Sequence, residues 1–343
     1  MKKVSWKKYV NAVFIVVVFI LTVWTVFHGE DFKEVVSFLT TADMAFVVPS
    51  ILCVLLFIMG ESVVICYLFS SLGTKVSFFR CCLYSFVGFF YSCITPSASG
   101  GQPMQVVAMR RDNIPVAMST VVLAIVTITY KLVLVLIGLA VLVLRPERIM
   151  KYLEPVESIM YVGIFLNVVC IVLLLLLVFH PGIIRACAEW GMSLLNRIRP
   201  AKHPEKQRKR LDAILSQYTG TAEYYKKNHQ VIITVLLITL LQRCLLFFIT
   251  WLTYCAFDLS GESMPVIVTL QAMISVAADM LPLPGGMGVS ENLFLEIFEP
   301  IFGEILVLPG MVISRGISYY SQMLISGIMT LLTTLFISKE KGE

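Results

Sequence analysis

The chain has 343 residues, 58% of them hydrophobic and 14% charged, with a formal net charge of +5 and a mean hydropathy of +0.87. That balance excludes an ordinary soluble domain and a disordered chain, and it fits a polytopic membrane protein. Nine cysteines without a C-x-x-C pair and four scattered histidines give no basis for a zinc site, a disulfide scaffold or a metal or organic cofactor.

A hydrocarbon core of about 30 Å needs roughly 20 apolar residues per helix. Six stretches meet that requirement: residues 9–27, 44–73, 115–144, 158–179, 231–257 and 311–338. The first follows Lys2, Lys3, Lys7 and Lys8 with no small-residue cleavage site after it, so it reads as a retained span rather than a signal peptide. Two further apolar segments, residues 81–109 and 263–290, are interrupted by Thr95-Pro-Ser-Ala-Ser-Gly-Gly-Gln-Pro103 and Leu281-Pro-Leu-Pro-Gly-Gly-Met-Gly-Val-Ser-Glu291. In hydrocarbon, broken backbone is tolerated where protein buries it or where it lines a wet cavity. Both segments therefore read as re-entrant hairpins or discontinuous helices.

Lys and Arg in the loops set the expected orientation. The N-terminal lysines place the N-terminus in the cytoplasm, and the loop with Glu30, Asp31, Glu34 and Asp43 lies outside. Arg80, Arg110 and Arg111 fall inside if the first hairpin enters and leaves by one face. Residues 181–230 carry ten Lys or Arg against four Asp or Glu and read as a basic cytoplasmic segment. It opens with Ile183, Ile184, Cys187, Trp190, Leu194, Leu195 and Ile198 at helical spacing between Arg185, Arg197 and Arg199, a pattern suited to lying on an anionic leaflet. No nucleic-acid-binding fold fits the segment, so no nucleic-acid partner is expected. Lys339 and Lys341 return the C-terminus inside.

The expected architecture is an all-α polytopic membrane protein forming a single integral membrane domain over residues 1–343. It has six full spans and two broken hairpins. Residues 44–144 form a first repeat and residues 231–338 a second, inverted one, a plan that places a site near the bilayer midplane. Gly101 and Lys131 are 30 residues apart, and Gly286 and Arg315 are 29 apart.

Each of the four repeat spans carries one charge, Glu61, Lys131, Arg243 and Arg315, whereas residues 9–27 and 158–179 carry none away from their edges. A charge at mid-bilayer costs about 2.5–3.5 kcal/mol and faces a partner or a cavity. On one reading Lys131 and Arg315 meet an anionic group such as a lipid phosphate. Gly100, Gly101, Gly285, Gly286 and Gly288 then let backbone N–H groups approach it. On the other, Glu61 pairs with a basic residue and Asp279 or Glu291 with another, locking the helices together. Thr95, Ser97, Ser99, Gln102, Gln105, Ser290, Glu291 and Asn292 either line a polar track or satisfy the carbonyls freed by the breaks. Tyr130, Tyr319 and Tyr320 either hold a cationic moiety by cation–π contact or pack in the core.

At the two Gly-Gly breaks the sequence resembles the lysylphosphatidylglycerol synthase transmembrane family, the flippase half of the bacterial multiple peptide resistance factor. Residues 96–105 resemble its first signature, residues 284–291 its second, and Arg315 its later arginine. Gln102 stands where many members have Glu, and Lys131 where many have Arg. The resemblance implies a bacterial cell-membrane protein that moves a phospholipid, such as an aminoacylated phosphatidylglycerol, to the outer leaflet and so resists cationic peptides. The family's synthase activity belongs to a separate soluble domain that uses aminoacyl-tRNA. Phosphatidylglycerol lysyltransferase and an ion-coupled carrier of a small anion remain the alternatives. With no P-loop present, transport is expected to be passive or coupled to potential or protons. A membrane phospholipid is the expected partner, with a second copy of the chain or a separate lipid-modifying enzyme also open.

Overall fold

The computed structural model describes residues 44–198, 204–281, 283 and 285–335. The expected span at 9–27, its flanking lysines, the acidic loop before Met44, Arg199, Lys202, Pro284 and the C-terminal lysines lie outside the described residues. The described residues form α-helices joined by short turns, with no strand among them.

Helix α1 (Met44–Ser71) ends where Gly73 takes a positive φ. Gly73 N–H bonds to Ser70 C=O and Thr74 N–H to Phe69 C=O, which satisfies carbonyls that the helix end would orphan. Next come α2 (Phe78–Cys93), the first break, and α3 (Gly101–Arg111). The same pair of bonds ends α3 at Asn113, and Pro115 starts α4 (Val116–Leu144). A short α5 (Glu147–Leu153), with no counterpart in the sequence reading, precedes α6 (Glu157–Phe179). The basic segment forms α7 (Pro181–Ile198) and α8 (Pro204–Lys227). Then follow α9 (His229–Ala256), α10 (Met264–Ala278), the second break and α11 (Val289–Phe302).

The last apolar segment departs from expectation. It begins earlier, at α12 (Val307–Arg315), widens into a π-helical turn (Gly316–Ser321), and resumes as α13 (Gln322–Leu335). Hydrophobic periodicity over 311–338 carries no sign of this turn, because a π turn shifts the register by one residue without a helix breaker.

Four continuous helical stretches, Ala45–Ser71, Val116–Leu144, Glu147–Phe179 and His229–Ala256, are long and apolar enough to cross a membrane. The 16 residues of α2 reach about 24 Å at 1.5 Å per residue, and the 15 of α10 about 22 Å, short of a full crossing. Val162, Phe165, Val169, Leu173 and Leu176 on α6 are all exposed at three-to-four spacing, an apolar outward stripe that lipid, rather than water, accommodates.

Packing crosses between the two halves of the chain. The first helices of each half, α1 and α9, lie against one another; α2 packs on α13, and α10 packs on both α4 and α6. The two largest apolar cores among the described residues lie around Leu68, Phe69, Val121 and Val235 and around Ile267, Phe294, Phe298 and Phe302. Lys131 and Arg243 sit about midway along α4 and α9, between these cores.

Candidate functional site

Residues from both halves converge at this middle level. Lys131 Nζ lies 2.6 Å from Asp279 Oδ2, at the end of α10. It also reaches Met280 Sδ at 2.9 Å and Asn167 Oδ1 at 3.5 Å. The Asn167 amide donates to Gly163 C=O at 2.9 Å and to Val276 C=O at 3.2 Å. Val276 is in the last turn of α10, where carbonyls lose their helical partners, so one side chain satisfies the broken helix and positions the lysine. A Cβ at Gly163 would lie 2.6 Å from both Ala277 Cα and Val276 O. Only glycine lets α6 come that close.

Arg315 holds the second break. Its Nη2 lies 2.8 Å from Glu291 Oε1, and Nη2 also donates to Gly285 C=O at 3.0 Å. The guanidinium sits over the Tyr319 ring, 4.9 Å from its centroid. Gly285, with φ +58°, packs so close to that ring that any Cβ would overlap it. From the π turn, the Tyr319 hydroxyl donates to Cys93 C=O at 2.7 Å. Ser97 Oγ donates to Leu281 C=O at 3.1 Å. The two breaks are therefore bonded directly to each other.

The first break closes on itself through Thr95, whose hydroxyl donates to Tyr91 C=O at 2.6 Å and accepts Gly100 N–H at 2.9 Å. Ser97 and Ala98 both take positive φ, 49° and 53°, a conformation that costs a non-glycine residue about 1–2 kcal/mol. Gln105 on α3 donates to Glu61 Oε1 on α1 at 2.7 Å. It passes Gly88 on the way, where a Cβ would overlap its amide. Gln102 donates to Thr127 on α4.

Arg243 is bonded differently. Its guanidinium carbon lies over Tyr130, 3.5 Å from the ring centroid, and 5.0 Å from that of Phe57. Its Nε is sealed from solvent and has no hydrogen-bond partner among the described residues. The neighbouring Gln242 donates to Phe57 C=O at 2.9 Å, and a Cβ on Gly60 would meet Gln242 Cγ at 2.9 Å. This close crossing of α1 and α9 sets Glu61 and Arg243 beside one another.

No group of three or more His, Cys, Asp or Glu able to hold a metal occurs among the described residues. The family profile of the lysylphosphatidylglycerol synthase TM region matches residues 11–326. The chain belongs to that family. No curated protein matches it.

In this lysylphosphatidylglycerol synthase TM region chain, the residues singled out by sequence divide into three groups. Lys131, Asp279, Arg315, Glu291, Gly285 and Gly286 gather at the second break; Gly100, Gly101, Gln102 and Gln105 belong to the first; Glu61 and Arg243 lie at the α1–α9 crossing. Tyr130 and Tyr319 hold the protein's own cations. Asn167, Gly163, Gly60, Gly88 and Gln242 were missed. The signal for Asn167 was present, an amide four residues after a glycine in a span otherwise free of strong polar groups, whereas the glycines needed the helix crossings to become visible.

Proposed function

We propose that the protein moves an anionic or aminoacylated phosphatidylglycerol-type phospholipid between the leaflets of a bacterial cell membrane, and that this lowers surface negative charge against cationic peptides. Family membership supports a role with membrane lipids. The observation that carries the reading is the junction of the two breaks, bonded to each other by Ser97 with Leu281 and held to the π turn and to α4 by Tyr319 with Cys93 and Lys131 with Asp279. Polar groups and helix ends gathered midway between two apolar cores are what a headgroup needs to cross hydrocarbon.

On this reading the chain is a single integral membrane domain over residues 1–343 with six spans and two re-entrant hairpins. Residues 44–144 and 231–338 are inverted repeats. The packing of each hairpin on the last helix of the other half supports that relation. The basic residues 181–230 face the cytoplasm, as the positive-inside rule requires. Lys131, Arg315, Gly100, Gly101, Gln102, Gln105, Gly285, Gly286 and Glu291 form the wall of the pathway. Lys131 and Arg315 close it by their bonds to Asp279 and Glu291, and a headgroup passes when those bonds are exchanged for its own.

The test is leaflet exchange of fluorescent phosphatidylglycerol and of its lysyl ester in proteoliposomes. Wild type exchanges at least one of them, and Lys131→Ala and Arg315→Ala, shown to be folded, do not. Wild-type vesicles no faster than protein-free ones contradict the reading.

A further inference from the structure

The interior charges balance in sign: Glu61, Asp279 and Glu291 against Lys131, Arg243 and Arg315. Two pairs are closed, Lys131 with Asp279 and Arg315 with Glu291. The third is not. Arg243 and Glu61 lie within electrostatic reach of one another, yet Arg243 makes no ion pair or hydrogen bond among the described residues, and Glu61 takes a single bond, from Gln105.

A guanidinium offers five N–H donors, and leaving buried donors unpaired costs about 1–3 kcal/mol. The face of Tyr130 offsets the charge of Arg243 but leaves the edge of the fork, where the donors are, without acceptors. Arg243, Tyr130 and Glu61 each keep part of their surface accessible, while Lys131 is buried. At the crossing beside them α1 and α9 already touch, with Gln242 bonded to Phe57 C=O and its Cγ where a Cβ on Gly60 would stand.

We propose that Arg243 and Glu61 receive a zwitterionic phospholipid headgroup. Arg243, over the Tyr130 ring, takes the phosphodiester by the N–H donors of its two terminal nitrogens, and Glu61, steadied by Gln105, takes a primary ammonium. This rests on the lipid-translocation reading for the transport itself and assigns it a different headgroup, zwitterionic rather than of the phosphatidylglycerol type. Because the closed pairs cancel, the open pair sees a net-neutral surrounding. A headgroup with one negative and one positive charge leaves the interior neutral. A plain phosphatidylglycerol adds an uncompensated anion beside Glu61, and its lysyl ester, with two ammonium groups, adds a net cation beside Arg243.

The experiment compares phosphatidylethanolamine, phosphatidylglycerol and lysyl-phosphatidylglycerol in proteoliposome leaflet exchange, with wild type, Glu61→Gln, Arg243→Lys and Arg243→Gln. The same lipids are also tested for retention on the detergent-purified protein. Wild type prefers phosphatidylethanolamine by about tenfold, equivalent to about 1.4 kcal/mol. Glu61→Gln, which keeps the shape and the Gln105 contact, erases most of that preference by gaining on phosphatidylglycerol. Arg243→Lys retains part of the exchange and Arg243→Gln loses it for every phospholipid. A wild-type preference for phosphatidylglycerol, or an unchanged ranking in Glu61→Gln, overturns the proposal while leaving translocation intact. If no lipid exchanges, translocation fails and retention decides: selective retention of phosphatidylethanolamine that Glu61→Gln abolishes upholds the assignment, and equal retention of all three overturns it.

Discussion

Lys131 and Asp279 are 148 residues apart in the chain and 2.6 Å apart in space. They come from different halves, one from the middle of α4 and the other from the point where α10 breaks. Both side chains are largely buried, with 10% and 14% of their surface exposed. Removing one member of such a pair strands the other charge at a cost of about 3–5 kcal/mol, while replacing both with apolar residues of similar volume is often neutral. Lys131→Ala and Asp279→Ala are each expected to lower the unfolding temperature in detergent sharply, and Lys131→Met with Asp279→Leu to recover most of the loss. Additive losses in the double variant count against a coupled pair.

Asn167 joins Lys131 to the frayed end of α10. Asn167→Leu keeps the branched shape, with bulkier methyl groups, but leaves the Val276 carbonyl without its side-chain donor, and a buried group left unsatisfied costs about 1–3 kcal/mol. Hydrogen exchange is expected to rise in the last turn of α10, while α1 and its crossing with α9 stay protected. Uniform loosening of the whole protein would show that the contact is not local.

The glycines of the second break carry unequal loads. Gly285→Ala suffers both its positive φ and overlap with the Tyr319 ring, whereas Gly288, with φ +82°, faces open space. Gly288→Ala therefore meets only the strain of its backbone conformation, φ +82° with ψ −52°, about 1–3 kcal/mol, and Gly285→Ala, which adds a steric overlap to its positive φ, loses more. Tyr319→Phe removes only the bond to Cys93 C=O, worth about 1 kcal/mol. Thermal unfolding in detergent should rank Gly285→Ala as the most damaging of the three.

Two tyrosines strap the basic helix α8 to the bundle. Tyr225 donates to Leu68 C=O at 2.9 Å and Tyr218 to Leu177 C=O at 3.3 Å. Burial pushes the Tyr218 phenol up to about 12 and the Tyr225 phenol upward as well. A phenol whose pKa is raised by docking contributes fully below its free value, near 10, and its contribution is lost as pH rises through the docked value. The docking of α8 should hold at neutral pH and weaken between about pH 10 and pH 12. Tyr218→Phe with Tyr225→Phe should weaken docking already at neutral pH and flatten that dependence. Amide exchange of α8 across the range measures both, and an unchanged pH profile in the double variant would contradict the strap.

Much of the helical plan was legible in the sequence because hydrocarbon imposes a length on apolar runs, and because Pro and Gly runs inside them interrupt helices. Both breaks occur within the anticipated runs. The π turn at Gly316–Ser321 was not legible, since Arg315 through Gln322 contains nothing that forbids an α-helix. The sequence reading ends the second broken segment at residue 290, whereas α11 runs on to Phe302, and it takes Ser290, Glu291 and Asn292 only as polar groups gathered around the break. They are the first turn of a helix whose Glu291 holds Arg315.

The interior charges could be located but not paired. Glu61, Lys131, Arg243 and Arg315 stand out because so little else in those helices is charged, yet the bond from Lys131 to Asp279 depends on α10 packing against α4, a contact between distant segments. The unequal bonding of the cations is hidden for the same reason. Lys131 and Arg315 are closed by carboxylates, while Arg243 has an aromatic face instead, and no spacing along one strand of sequence distinguishes the two situations.

The most direct test of the account uses the Lys131→Met, Asp279→Leu protein, because it separates a pathway from a helix lock. With its fold verified by unfolding in detergent, leaflet exchange of phospholipid is measured in proteoliposomes beside wild type. The expected result is a stable protein whose exchange falls to that of protein-free vesicles, since an apolar plug now stands between α4 and the second break. Exchange at the wild-type rate would show that Lys131 and Asp279 only hold α4 to α10 and that lipid crosses elsewhere.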